Sequence, residues 1–158
     1  MIVNLQRKVK LETKQFTAFV DSLPGLVKEA AGGSFSVAFI SDRRMKELNA
    51  FFRGKTTTTD VLSFPPEADE FVQSAGLSPS AVEDERAEAL TLDANYLGDI
   101  VISAEQAERQ AAENGLTLDN EIKQLILHGL LHLCGYDHEI DDGEMNKIEL
   151  RLRRKLKI

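Results

Sequence analysis

The three histidines of the chain, His128, His132 and His138, all lie in one eleven-residue stretch, HGLLHLCGYDH. A lone histidine on an apolar helix face is usually a packed core residue, but three at this spacing ask for another explanation. Residues four apart on a helix share a face with an axial offset of about 6 Å, so both imidazoles can tilt toward one ion at roughly 2 Å. His138 cannot join them on a continuous helix, because it would lie about 15 Å along the axis from His128. Gly135 stands where the chain must turn back, since glycine accepts the left-handed conformation that ends a helix. His128, His132 and His138 are therefore read as ligands of one divalent metal, with zinc the expected ion. Three protein ligands leave a coordination position for water, which favours a catalytic over a structural site. Imidazole also suits nickel, copper and iron, so residue type alone does not fix the metal.

The spacing, with glycine seven residues after the first histidine, is similar to that of the metzincin proteases, except that Gly129 stands where they carry glutamate. That glutamate is the general base of peptide hydrolysis, and glycine has no side chain to replace it. Peptidase chemistry is thereby disfavoured. A phosphodiester needs less help, because one ion both lowers the pKa of a water and neutralises charge on phosphate oxygens. Asp137 fits two roles equally, orienting a histidine from behind or capping a turn. Asp99, an acid at the centre of a strand, is expected to face solvent or satisfy a neighbouring loop. Cys134 reads as a small buried residue rather than a fourth ligand, and Tyr136 either stacks a base or covers the metal loop.

These residues need a scaffold, and the hydrophobic pattern supplies one. IVNL near the N-terminus reads as a strand, and Phe16, Phe19, Val20, Leu23 and Val27 form the stripe of an amphipathic helix, interrupted at Pro24-Gly25. SFSVAFIS alternates as a half-buried strand, and Ser41 is the N-cap of a helix to about Phe52 with Met45, Leu48 and Phe52 inward. VLSF is a short strand halted by Pro65-Pro66. YLGDIVIS is a longer one, and its Ser103 with Gln106 forms a capping box opening a helix that ends at Asn114-Gly115. From Thr117 a helix runs toward Gly135 and carries the first two histidines; a last helix starts near Asp141, with Glu144 three residues on. The sum is about four strands and five helices.

A length of 158 residues fits a single domain over 1–158. Between the third and fourth strands, residues at about 67–93 form an acidic, Ala/Ser-rich insertion too long for a tidy connection. Hydrophobic residues at 42% and charged residues at 28% describe an ordinary soluble globular protein. No apolar run reaches the roughly 20 residues of a membrane span, and MIVNLQRKVKLETK lacks the apolar core of a signal peptide, so the expected location is cytoplasmic. One cysteine excludes an internal disulfide framework and gives no reason to expect a disulfide-linked partner. The formal net charge of −7 argues against a broad basic footprint for nucleic acid, although the chain ends RLRRKLKI.

HGLLHLCGYDH closely resembles the signature of the YbeY family of metal-dependent endoribonucleases. NAFFRGKTTTTDVLSFP and the later LGDIVIS are similar to two further segments of that family, in the same order. The resemblance covers nearly the whole chain apart from the acidic insertion. It implies a compact α+β fold with a small mixed sheet covered by helices, one metal on the three histidines, and an arginine needed for activity, which maps onto Arg53. An arginine past a helix end often pairs with a surface carboxylate. Beside Gly54 and Lys55 it reads better as a phosphate clamp, since a guanidinium grips two oxygens at once and Lys55 adds a point charge. Where the family usually has an acid after this lysine, the chain has Thr56, the first of four threonines.

The function implied is a single-strand-specific endoribonuclease in maturation of the 3′ end of small-subunit ribosomal RNA and in ribosome quality control. Its partners would be ribosomal RNA, the small subunit and its assembly factors. Three readings compete with it: a ribosome-assembly factor whose cleavage is incidental, a metzincin-like protease opposed by Gly129, and a structural-zinc module.

Overall fold

The computed structural model describes residues 1–66 and 95–158. The acidic insertion expected at about 67–93 lies outside the described residues. Strands β1 (Ile2–Asn4), β2 (Ser34–Ile40), β3 (Val61–Phe64) and β4 (Tyr96–Ser103) form one sheet in the order β1-β2-β4-β3. β1–β2 and β2–β4 are parallel, whereas β3 runs antiparallel to β4. Five helices are described: α1 (Lys14–Ser22), α2 (Asp42–Arg53), α3 (Ala104–Asn114), α4 (Leu118–Leu133) and α5 (Glu144–Leu156). The arrangement is the α+β fold with a small mixed sheet expected from the sequence.

Helices cover both faces of the sheet. Val37, Phe39, Ile100 and Ile102 point to one side, where they pack with Phe16 of α1, Ile122, Ile126 and Leu130 of α4, and Leu152 of α5. Ala38, Ile40 and Val101 point to the other side, against Met45 and Leu48 of α2. This corrects the half-buried reading of SFSVAFIS, in which every residue from Phe35 to Ile40 is buried. The strand lies between β1 and β4, and α2 roofs the face that would otherwise be wet. Asp99 is corrected for the same reason: it is fully buried and accepts a 2.6 Å hydrogen bond from the Tyr96 hydroxyl.

The helix starts follow local chemistry. Ser41 and Thr117 accept hydrogen bonds from the backbone N–H groups of Arg44 and Asn120, satisfying donors that the first turn leaves open. Ser103 likewise accepts from Gln106 N at 3.3 Å, but the reciprocal half of the capping box is absent, because Ser103 N donates to Asp60 O. The last helix begins at Glu144 rather than Asp141; the Asp141 carboxylate caps it from outside, accepting from Gly143 N and Met145 N. The first apolar stripe is α1 up to Ser22, followed by a short 3₁₀ turn over Leu23–Gly25, where Pro24 interrupts the regular ladder.

Candidate metal centre

α4 is apolar on most of its circumference because it is wedged between the sheet, α1, α3 and α5. Its C-terminal turn reaches the sheet edge at β3, and there His128 and His132 emerge half-buried. At Gly135, φ is +90°; Gly135 N donates to His132 O and Tyr136 N to Leu131 O, the doubled bond pattern of a glycine helix stop. The chain reverses and brings His138 back over the first two rings. Ring centroids stand 4.7 Å apart for His128–His132, 5.5 Å for His128–His138 and 5.3 Å for His132–His138. One nitrogen from each ring lies within 4.8 Å of the others, and no other His, Cys, Asp or Glu among the described residues joins such a group.

The donor set fits a divalent ion. Two nitrogens bound to one tetrahedral ion at about 2.05 Å stand roughly 3.3 Å apart, and His128 Nε2 lies 3.1 Å from His132 Nε2. Burial, together with the charges His128 and His138 would carry, pushes the His132 pKa below its ordinary value. Its ring therefore stays neutral, the form that binds metal. Behind His128, Nδ1 lies 3.1 Å from Glu149 Oε2 on α5. Burial raises the Glu149 pKa, but the His128 contact and Arg153 outweigh that and hold it below the usual carboxylate range.

The histidines form one wall of a cleft of about 590 Å³. Across it stand Arg53, the last residue of α2, and Asp60 at the entrance to β3. Arg53 Nη2 lies 3.7 Å from Glu139 Oε1, so the arginine and the loop after His138 meet across the opening. Lys55, named with Arg53 from the sequence, is exposed and is not among the residues lining this cleft. Asp137 lines the cleft and its Oδ1 accepts from Glu139 N, the turn-capping role of the two considered. Asp60 accepts from Val61 N and the Thr59 hydroxyl, which fixes the strand start. Tyr136 packs on the main core, so it covers the loop. Cys134 lies outside the ligand group, and burial followed by the Glu29 charge pushes its thiol up to about 11.

Gly129 owes its identity to packing. A Cβ there would lie 2.8 Å from Ile100 Cγ2 and 3.1 Å from Ser63 Oγ, and the Ser63 hydroxyl donates to the Gly129 carbonyl at 3.1 Å. The position that carries the protease glutamate thus faces β4 instead of the cleft. Sequence reasoning missed Glu149, although Met145, Glu149 and Leu152 recur at helical spacing, and an acid inside an apolar stripe is a readable signal.

A family model described as Endoribonuclease YbeY matches residues 1–157. An Endoribonuclease YbeY from Syntrophomonas wolfei subsp. wolfei is 34% identical over 164 residues, covering 100% of this chain and 97% of its own length. Another from Nautilia profundicola is 43% identical over 117 residues, covering 74% of this chain and 68% of its own. The solution structure of a Thermotoga maritima protein superposes with a TM-score of 0.56 at 27% identity, covering 99% of this chain and 92% of that one. With three imidazoles converging at the expected turn and the match running from end to end, the chain belongs to the YbeY family of endoribonucleases.

Proposed function

We propose that the protein is a metal-dependent endoribonuclease that holds one divalent ion, zinc, on His128, His132 and His138 and grips an RNA phosphate with Arg53. Its substrate is single-stranded RNA at the 3′ end of small-subunit ribosomal RNA, and its setting is the cytoplasm, beside the small subunit and its assembly factors. Among the described residues no helix is long and apolar enough to cross a membrane. The relatives carry the name endoribonuclease, which makes RNA the substrate class. The observation that supports the site is the facing of three imidazoles and one guanidinium across a single cleft.

When bound, the ion supplies Lewis acidity, lowering the pKa of a water and offsetting charge on the scissile phosphate. The chain's own residues do the rest. Arg53 presents a planar fork suited to two phosphate oxygens, and an incoming phosphate takes over the place held by the Glu139 carboxylate. Lys55, outside the cleft, adds a point charge along the approaching strand. Asp60, Asp137 and Glu139 are the carboxylates on the cleft wall available to move a proton, since Gly129 has none to offer.

The test is cleavage of single-stranded and duplex RNA by the purified protein beside His132→Ala and Arg53→Glu. Single strands should be cut and both variants should fall to background. Unchanged cleavage in both variants would mean a contaminating nuclease and sink the proposal. Products ending in 2′,3′-cyclic phosphate identify the ribose hydroxyl as nucleophile, and 5′ phosphates with 3′ hydroxyls identify water. Casein digestion abolished by His128→Ala would restore the protease reading.

A further inference from the structure

We propose that Glu149 is a positioning residue of the metal centre, which fixes the His128 tautomer that leaves Nε2 open and so sets how tightly the chain holds an ion. The inference rests on the three-histidine reading above. Glu149 lies on α5, is only 7% exposed, and places Oε2 3.1 Å from His128 Nδ1. Its other oxygen accepts from Arg153, one turn on, and Arg153 Nη1 donates at 2.7 Å to Gln124 Oε1 on α4. The carboxylate is thus clamped from behind by the helix it serves.

An ionised carboxylate only accepts hydrogen bonds, so the shared proton sits on His128 Nδ1. Nε2 is then the bare nitrogen, and it is the atom that faces His132 Nε2 at 3.1 Å. Stability does not account for an acid here. Met145 and Leu152, its neighbours on the same stripe, are buried and apolar, and replacing a buried ion pair by apolar packing is often neutral or stabilising. A charge kept at such a position has work to do on the ring it touches.

Glu149→Gln separates the roles, because it keeps the shape but offers one oxygen to two donors, Arg153 and His128. With the amide oxygen on Arg153, its NH2 faces Nδ1 and drives the proton to Nε2, the atom the metal needs. Zinc affinity is read by competition with a chromophoric chelator, and the His128 tautomer from ring ¹⁵N shifts of the metal-free protein. The expected result is zinc binding about 10–100-fold weaker, with His128 moved from the Nδ1–H to the Nε2–H form. Adding Arg153→Met to Glu149→Gln removes the competing donor and should restore affinity toward wild type, which loss of packing would not do.

Zinc binding by Glu149→Gln within about twofold of wild type, against the 10–100-fold loss expected, overturns the role of Glu149, provided that His132→Ala abolishes binding. If His132→Ala binds as tightly as wild type, the three-histidine reading fails and takes this inference with it. Should Glu149→Gln not fold, the wild-type tautomer decides: an Nε2–H His128 in the metal-free protein overturns the proposal.

Discussion

The two walls of the cleft are built differently. On one side His128 and His132 sit on a helix packed against the sheet and its neighbouring helices, with Glu149 behind the first ring. On the other side Arg53 ends a helix, its side chain 40% exposed, with a 3.7 Å contact to Glu139, which is 65% exposed. The histidine wall is set when the protein folds. The arginine wall is free to follow a flexible strand, as a surface ion pair of this length contributes little. A nuclease that must hold an ion in fixed geometry and accept RNA of varied shape is served by that division of stiffness.

Four perturbations test it, the largest first. Chelation should lower RNA cleavage more than about a hundredfold, beyond the range for residues that only support a ligand. Far-UV circular dichroism should survive, because the core is built from apolar residues of the sheet and helices; unfolding on chelation would make the ion structural. Gly129→Ala pushes a methyl into Ile100 and should cost about 1–3 kcal/mol in chemical denaturation. Wild-type stability in that variant would mean that the histidine helix is less firmly seated than its contacts indicate.

The third perturbation probes what steadies the arginine side. Asp42 begins α2 and accepts hydrogen bonds from Ser103, Thr58 and Arg109, tying the threonine loop to α3. Burial raises its pKa, but these bonds outweigh burial and hold it below the usual carboxylate range. A carboxyl depressed in the folded state stabilises above its unfolded pKa, and that stability is lost as pH falls through the folded value. Asp42→Asn should therefore be less stable than wild type by about 1 kcal/mol near neutral pH. The gap should close in acid melts below about pH 4; a gap independent of pH would contradict the assignment. The smallest effect belongs to Glu139→Gln, which frees Arg53 and should tighten RNA binding about twofold at low salt and less at high salt.

Local chemistry was legible in the sequence. Ser41, Thr117 and Gly135 mark helix ends because caps and left-handed stops depend on a few adjacent residues, and the histidine spacing encodes its own geometry. What depended on distant partners was not. Nothing near Gly129 announces Ile100, nothing near His128 announces Glu149, and the burial of Asp99 follows from a strand order that local alternation does not contain. The family resemblance points to Arg53, and Gly54 and Lys55 beside it suggest a phosphate clamp, yet only the arginine lines the cleft, since the left-handed turn at Gly54 separates the two side chains.

The parallel pairing at the centre of the sheet bears on the order of assembly. Val37 meets Ile100 only after α2, β3 and the intervening chain have been spanned. Closing so long a loop costs entropy before any contact rewards it, and such pairings form slowly. The histidine helix docks on that same Ile100 through Gly129, so the histidine cluster is completed only once that long-range pairing has formed. An ion held by these histidines would bind only the assembled chain and so oppose its unfolding, unlike the ions that template domains too small to fold without them.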